Sequence, residues 1–172
     1  SWATAIAKIA MQGGKRIHWY MRRPEQIEQF KETGSNPSYL TSVQFDVKKI
    51  KFFSNINLAI KNSDILVFAM PSPFLKGHLA KINVPLKGKK VISAIKGIVP
   101  DENMLISDYL HEFYQVPYEN IATISGPCHA EEVAYERMSF LTFACQDEDK
   151  AKTLAKCFEC RFVHTTTTPD LF

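Results

Sequence analysis

The stretch ILVFAMPSPF, residues 65–74, opens with six apolar residues in succession and then turns at two prolines. An apolar run of this length predicts a strand covered on both faces, and Pro71 ends it. The residues that follow predict a helix over 74–81. A second apolar strand is predicted over 90–94, so the two strands are joined by a helical crossover and are expected to run parallel.

Strands and helices alternate in the same way through the rest of the chain. Further helices are predicted over 3–11, 24–33, 55–62, 104–113, 129–136 and 148–158, and further strands over 16–21, 51–53, 121–125, 139–144 and 162–166. This order predicts an α/β fold with a doubly wound, mostly parallel sheet and helices on both faces. Ligands of such sheets bind beyond the carboxyl ends of the strands.

Length and composition fit one domain over residues 1–172. Apolar residues make up 45% of the chain, and no apolar run reaches the roughly 18–20 residues that span a bilayer. We therefore expect one domain with a sizeable core and no membrane insertion. No charged-then-apolar leader opens the chain, which predicts a cytoplasmic protein.

Charge is distributed unevenly along the chain. Residues 1–100 carry 16 basic and 5 acidic side chains, whereas residues 101–172 carry 5 basic and 13 acidic ones. A basic half predicts a small-molecule partner that bears phosphate. The lysines are scattered and no aromatic motif accompanies them, so we expect no nucleic-acid partner.

Two arginines and a phenylalanine follow predicted strands. Arg22 and Arg23 stand where a carboxylate would bind a ribose 2′-hydroxyl. Arginines there either pair with a 2′-phosphate or are solvated on a turn. Phe74 follows the strand at 65–70 and either lies against a nicotinamide or ribose ring or belongs to the core.

A lysine directly follows the buried strand at 90–94. Lys96 stands beside Gly97, and its ammonium group either enters the ligand crevice or stays at the surface. In the crevice it would bind a phosphate or polarise a carbonyl group.

A glycine–proline turn, Gly126-Pro127, follows the strand at 121–125 and leads into a helix. His129 at the helix start is either an acid–base group or an exposed residue. Glu131 and Glu132 suit the first turn of a helix, where a carboxylate is favoured.

The four cysteines are too few for a disulfide framework. Cys157 and Cys160 form a C-x-x-C pair, but no second pair supplies further zinc ligands. Ordinary thiols at a helix end are favoured over a redox or metal site, and we expect no metal.

The first predicted helix opens the chain directly, at SWATA, residues 1–5. A doubly wound nucleotide-binding domain has a strand and a glycine-rich turn ahead of this helix, and no G-x-G-x-x-G occurs in the sequence. We therefore expect the first strand and its glycine turn to be missing from this chain. The amides of Ser1 and Trp2 would then face a pyrophosphate at the helix N-terminus; the alternative is an ordinary N-cap serine.

Four blocks in a fixed order carry a family resemblance. They are SWATA at 1–5, NPSYL at 36–40, AMPSPF with ISAIKG at 69–74 and 92–97, and SGPCHAEEVA at 125–134. Together they resemble the NAD(P)-dependent glycerol-3-phosphate dehydrogenases, especially the bacterial type. The resemblance covers nearly the whole chain.

This resemblance implies a Rossmann-like domain of an oxidoreductase that interconverts dihydroxyacetone phosphate and sn-glycerol 3-phosphate, a precursor of glycerophospholipids. The implied cofactor is NADP or NAD. The residues implied to bind it are Ser1, Trp2, Arg22, Arg23, Phe74, Lys96 and Ala130. The residues implied to bind substrate are Lys96, Gly126 and Cys128, the last at a position that is commonly serine.

In this family the general acid/base lysine lies in a helical second domain, and we expect this chain to stop just short of it. We therefore expect no catalytic residue in this chain, no turnover by the chain alone, and any homodimer to form through the absent domain. The alternatives are another Rossmann oxidoreductase of the 6-phosphogluconate or ketopantoate type, a non-catalytic nucleotide-binding regulatory domain, and an unrelated phosphate-binding α/β domain. The IKG and SGPCHAEEVA blocks argue against the first of these.

Overall fold

The computed structural model describes residues 1–171. The α-helices are α1 Trp2–Gln12, α2 Pro24–Thr33, α3 Ile56–Lys61, α4 Ser72–Leu79, α5 Ile106–Tyr114, α6 Ala130–Ala134 and α7 Glu148–Lys156. The strands are β1 Ile17–Tyr20, β2 Ile50–Phe53, β3 Ile65–Phe68, β4 Lys90–Ser93, β5 Ile98–Val99, β6 Met104–Leu105, β7 Ile121–Ser125, β8 Ser139–Ala144 and β9 Val163–Thr168. The predicted alternation of helices and strands is confirmed.

Local signals account for several helix ends. Pro24 occupies the first turn of α2, where its missing amide is not needed, and Gly34 ends the helix at φ 73°. The Asn55 side chain accepts hydrogen bonds from two amides at the start of α3. The Asp147 side chain accepts one from the amide of Lys150 at the start of α7. These caps satisfy amides that have no partner within the helix.

The main sheet has the strand order β3-β4-β7-β8-β9, and β8 is the strand that departs from the parallel direction. It pairs antiparallel with β7, whereas the other neighbouring strands of this sheet are parallel. A five-residue helix such as α6 advances the chain only about 7.5 Å, whereas β7 is about 17 Å long. The connection from β7 to β8, residues 126–138, contains only this short helix, and the chain re-enters the sheet from the carboxyl end of β7.

The sheet is divided between β1 and β3. Within residues 1–171, β1 pairs only with β2, and β3 pairs only with β4. In a doubly wound sheet this place belongs to the strand that precedes the first helix. Val67 in β3 is 38% exposed, so the expectation that this strand is covered on both faces is wrong at the open edge.

A short hairpin takes the place of the predicted start of α5. Met104–Leu105 forms β6 and pairs antiparallel with β5, so the helix begins at residue 106 rather than 104. Two-residue strands are too short to show a period of two, which is why the sequence pattern missed them.

Successive residues of the central strands enter opposite layers of the core. Val91 packs with α4 and α5, and its neighbour Ile92 packs with α1 and α6; both are fully buried. This alternation follows from the pleat of a strand and leaves the middle of the sheet covered on both faces. Among residues 1–171, no helix combines the length and apolar character needed to cross a membrane.

Candidate functional site

A cavity of about 460 Å³ lies at the carboxyl ends of β3 and β4, between α1 and α6. Residues 69–73 after β3, Ala94 and Lys96 after β4, and residues 128–131 after β7 line it, together with Ser1 and Trp2 at the start of α1. The strand order places β3, β4 and β7 side by side, so the segments that follow them converge. The cavity therefore lies where ligands of doubly wound sheets bind.

The N-terminal end of α1 opens into the cavity. The Ser1 carbonyl accepts the first helical hydrogen bond, from the amide of Ala5 at 3.0 Å, so the amides of the first turn have no acceptor within the helix. The first turn of α1 carries no acidic side chain. The partial positive charge of the helix end therefore faces the cavity, where the Glu131 carboxylate also lies.

A buried hydrogen bond holds the first turn of α1 in place. The Asn36 amide group donates to Thr4 Oγ1 at 3.0 Å, and both residues are buried. The Asn36 side-chain oxygen accepts hydrogen bonds from the amides of Ser38 and Tyr39 at 2.9 and 3.2 Å. Sequence reasoning noted the NPSYL turn without this role, although an asparagine that bonds the backbone two residues later is typical of such turns.

Lys96 stands at the mouth of the cavity on a well-defined backbone. The amide of Ala94 donates to the Phe68 carbonyl at 2.8 Å, which extends the pairing of β3 and β4 beyond the end of β4. Gly97 then turns the chain at φ 92°, a conformation that glycine adopts readily. Among residues 1–171, no carboxylate forms an ion pair with Lys96. Its charge is therefore free to meet an anionic ligand.

The two other predicted substrate residues contact β8. A Cβ atom at Gly126 would lie 2.4 Å from the carbonyl oxygen of Phe140, so this position requires a glycine. Cys128 lines the cavity, but its Sγ donates to the same carbonyl oxygen at 3.3 Å and accepts the Phe140 amide at 3.2 Å. A substrate contact by Gly126 or Cys128 stays a prediction.

Three of the predicted cofactor residues lie outside this cavity lining. Phe74, in the first turn of α4, is 61% exposed, and Arg22 and Arg23 are exposed ahead of α2. Burial lowers the pKa of His78 on α4, and the positive charges of Lys81 and Arg22 lower it further. Arg22 therefore lies near His78 on α4.

The two glutamates in the first turn of α6 have different roles. The Glu132 carboxylate accepts the amide of His129 at 3.0 Å and so caps the helix, as its place in the first turn predicts. Glu131, by contrast, lines the cavity together with Ala130. Sequence reasoning missed Glu131, because a carboxylate in a first helical turn already has a sufficient local explanation. Met70 and Ser72 also line the cavity and carried no signal of their own.

Metal-ligating side chains are not grouped in the described part of the chain. No cluster of three or more His, Cys, Asp or Glu residues within residues 1–171 is placed to hold a metal ion. Cys157 and Cys160 are free thiols just after α7.

A helix N-terminus and an unpaired lysine thus meet in one cavity at the end of a mostly parallel sheet. Backbone amides and an ammonium group are suited to phosphate and carbonyl oxygens. The fold and the cavity define a doubly wound domain of the nucleotide-binding class. The chain belongs to the family described as NAD-dependent glycerol-3-phosphate dehydrogenase N-terminus, whose model matches residues 1–151.

Curated relatives agree with this family. A glycerol-3-phosphate dehydrogenase [NAD(P)+] from Ectopseudomonas mendocina is 30% identical over 172 residues, which cover 100% of this chain and 50% of that protein. A protein of the same name from Streptococcus agalactiae serotype III is 31% identical over 173 residues, covering 99% of this chain and 51% of its own length. The chain thus spans about half the length of these relatives.

Solved structures show the same fold. Glycerol-3-phosphate dehydrogenase from Plasmodium falciparum superposes with a TM-score of 0.86 at 24% identity, covering 99% of this chain and 50% of that one. The enzyme from Saccharomyces cerevisiae gives a TM-score of 0.83 at 24% identity, covering 99% of this chain and 54% of that one.

Proposed function

We propose that residues 1–172 form the dinucleotide-binding domain of an NAD(P)-dependent glycerol-3-phosphate dehydrogenase. The complete protein reduces dihydroxyacetone phosphate to sn-glycerol 3-phosphate with NADPH or NADH, and catalyses the reverse reaction. The observation that carries this proposal is the cavity into which the N-terminus of α1 and Lys96 both open. It occurs in a chain whose family is the N-terminal part of such enzymes.

The cavity presents groups that suit part of a nicotinamide dinucleotide. Its volume of about 460 Å³ lies in the range of small-molecule sites. The amides of Ser1 and Trp2 would hold the pyrophosphate, and Ala130 would contact the cofactor. Phe74, exposed outside the cavity lining, would lie beside the cofactor where it leaves the cavity. The bound cofactor supplies the hydride for carbonyl reduction.

Lys96 has the central role among the residues of this chain. Its ammonium group would hold the substrate oxygens beside the cofactor and stabilise the charge that develops on the carbonyl oxygen. Gly126 and Cys128 would border the substrate on the side of β8. The oxygen also requires a proton, and the resemblance assigns its donor, a lysine, to a second, helical domain.

The proposal extends to the setting of the reaction. Glycerol 3-phosphate is a precursor of glycerophospholipids, so we place the complete protein in that biosynthesis, in the cytoplasm. Any homodimer would form through the second domain.

A substrate panel tests the proposed reaction. The complete protein that carries this chain is assayed for NADPH and NADH oxidation with dihydroxyacetone phosphate, with ketopantoate and without substrate, and for NADP⁺ and NAD⁺ reduction with 6-phosphogluconate. We expect turnover with dihydroxyacetone phosphate alone. Turnover with another substrate assigns the protein to another oxidoreductase, and cofactor binding without any turnover identifies a regulatory domain.

Lys96→Met tests the central residue. We expect kcat/KM for dihydroxyacetone phosphate to fall by about 10²–10³-fold, the usual loss for one such donor. The melting temperature should be retained, because an exposed lysine contributes little to stability. The matched control is Lys87→Met, which removes an exposed lysine outside the cavity lining. Equal activity in the two variants, or a collapsed melting transition for Lys96→Met, would show that the assignment of Lys96 is wrong.

A further inference from the structure

The backbone on the far side of Lys96 leads into the β5–β6 hairpin. Gly97 separates Lys96 from Ile98, the first residue of β5, and turns the chain at φ 92°. β5 pairs with β6 through only two residue pairs, Ile98 with Leu105 and Val99 with Met104. So short a hairpin is not stable by itself and must be held by its surroundings.

The tip of the hairpin has a left-handed backbone at two positions. Asp101 and Asn103 have φ values of 72° and 53°, a conformation that aspartate and asparagine adopt more readily than other non-glycine residues. A contact from α4 joins this tip to the rest of the fold.

Lys76 on α4 binds the tip through two carboxylates. Its Nζ donates to Glu102 Oε1 at 2.6 Å and lies 3.5 Å from Asp101 Oδ2. The hydrogen bond from Lys76 lowers the pKa of Glu102, and the same bond raises the pKa of Lys76. The second oxygen of Glu102, Oε2, is buried and has no hydrogen-bond partner among residues 1–171, so Lys76 is the side chain that holds this carboxylate.

α4 meets the hairpin segment at three points. Ser72, in the first turn of α4, lines the cavity, and its Oγ lies 3.9 Å from the place that a Cβ atom of Gly97 would occupy. Lys76 lies one helical turn later and binds Glu102. Val99 of β5 is fully buried in the same cluster as Leu75 of α4. The helix that borders the cavity therefore also fixes the segment that follows Lys96.

We propose that the Lys76–Glu102 ion pair is a positioning device for Lys96. The pair holds the β5–β6 hairpin against α4, and the hairpin fixes the direction in which Lys96 leaves the sheet. This role rests on the proposed function of Lys96. Lys76 and Glu102 are positioning residues and do not themselves contact substrate or cofactor.

The consequence for acid conditions follows from the lowered pKa of Glu102. The carboxylate remains ionised at neutral pH, so the ion pair is fully formed there. The contribution of the ion pair to stability is present above 4.5, the ordinary pKa of a glutamate carboxyl group. It is lost as the pH falls through the lowered pKa that Glu102 has in the folded protein. We therefore expect the positioning to be constant over the neutral range.

The test is a double-mutant cycle in the complete protein. We expect Lys76→Met to lower kcat/KM for dihydroxyacetone phosphate by up to about 10²-fold, the scale of a misplacement of about 1 Å at a reacting centre. The dissociation constant for NADPH should change much less, and Lys76→Arg should restore activity. In a Lys96→Met background, Lys76→Met should have no further effect, because its action passes through Lys96. The matched control, Lys152→Met, breaks an exposed Lys–Glu pair of 2.9 Å on α7 and should leave activity unchanged.

Each remaining outcome decides the matter. If Lys76→Met lowers activity equally with and without Lys96, its role is merely structural and the inference is overturned. Full activity of Lys76→Met beside a loss in Lys96→Met overturns the positioning role and leaves the proposed function standing. Full activity of Lys96→Met shows that the assignment of Lys96 is wrong, and the positioning role of Lys76 and Glu102 is overturned with it, whereas the proposed reaction is decided by the substrate panel. If Lys76→Met does not fold, Glu102→Gln takes its place in the cycle: it removes the charge of the pair but keeps a hydrogen-bond acceptor for Lys76, so a smaller loss is expected, again only when Lys96 is present.

Discussion

Arg22 and Arg23 occupy the turn between β1 and α2. Both are exposed, and no carboxylate occurs at positions 20–24, where one would favour a ribose 2′-hydroxyl. The charge of Arg22 contributes to the lowered pKa of His78, so this arginine lies toward α4, across the division of the sheet. A 2′-phosphate placed there would meet at least one guanidinium group.

Removal of both arginines tests whether they select NADPH. In the complete protein, Arg22→Ala with Arg23→Ala should raise KM for NADPH by roughly ten- to a hundredfold, as expected for the loss of one charged hydrogen bond. KM for NADH should change little, since that cofactor lacks the 2′-phosphate. Steady-state kinetics with both cofactors measures the difference, and Lys156→Ala, an exposed lysine on α7, is the control. Equal changes for NADPH and NADH would show that the arginines are only solvated.

At the scale of secondary-structure elements, the contact of β7 with β8 positions the backbone turn beside the cavity. The two strands pair antiparallel from Thr123 to Ser125, and Gly126 brings the chain against the Phe140 carbonyl. The Cys128 sulfur then bonds the backbone of the same residue. The turn after β7 is therefore held by contacts with β8 rather than with β4, the parallel neighbour of β7.

Gly126→Ala should destabilise this contact. Its new Cβ would lie 2.4 Å from a backbone oxygen, which cannot move without shifting β8. We expect the free energy of unfolding to fall by about 1–3 kcal/mol, measured by urea denaturation, as for other overpacked positions. Gly77→Ala is a control of opposite sign: the site lies inside α4 with nothing within 4 Å of the new atom, so stability should rise by about 0.5–1 kcal/mol. A Gly126→Ala protein as stable as the parent would contradict this expectation, because it would mean that β8 can shift without a cost in stability.

At the scale of the whole molecule, the chain carries a cofactor-type cavity but only half the length of its relatives. Carbonyl reduction needs a proton donor as well as a hydride, and a positioned donor contributes roughly 10²–10⁴-fold to the rate. We therefore expect residues 1–172 alone to oxidise NADPH with dihydroxyacetone phosphate at least about 10²-fold more slowly than the complete protein.

The matched control for this comparison is the same chain mixed with the second half of the complete protein. If the two halves associate, turnover should return in proportion to the complex formed. Turnover by residues 1–172 alone at the rate of the complete protein would place the proton donor inside this chain, and would contradict the division of roles proposed above.

Local signals in the sequence predicted the α-helices and the strands of the divided sheet in their order, but not the β5–β6 hairpin. The bounds of α2, β7 and β8 agree with those expected, because a proline, a glycine or an apolar run marks their ends within a few residues. The position of Lys96 after a buried strand placed it at the carboxyl edge of the sheet. Its place in the cavity follows from the general rule for parallel strands.

Local signals could not predict contacts between residues far apart in the chain. The antiparallel direction of β8, the division between β1 and β3, and the ion pair of Lys76 with Glu102 join segments whose proximity no local pattern encodes. Likewise, the sequence around Cys128 does not show whether its sulfur contacts a ligand or the backbone of Phe140. Local propensity acts over a few residues, whereas these contacts form only when the sheet has brought distant segments together.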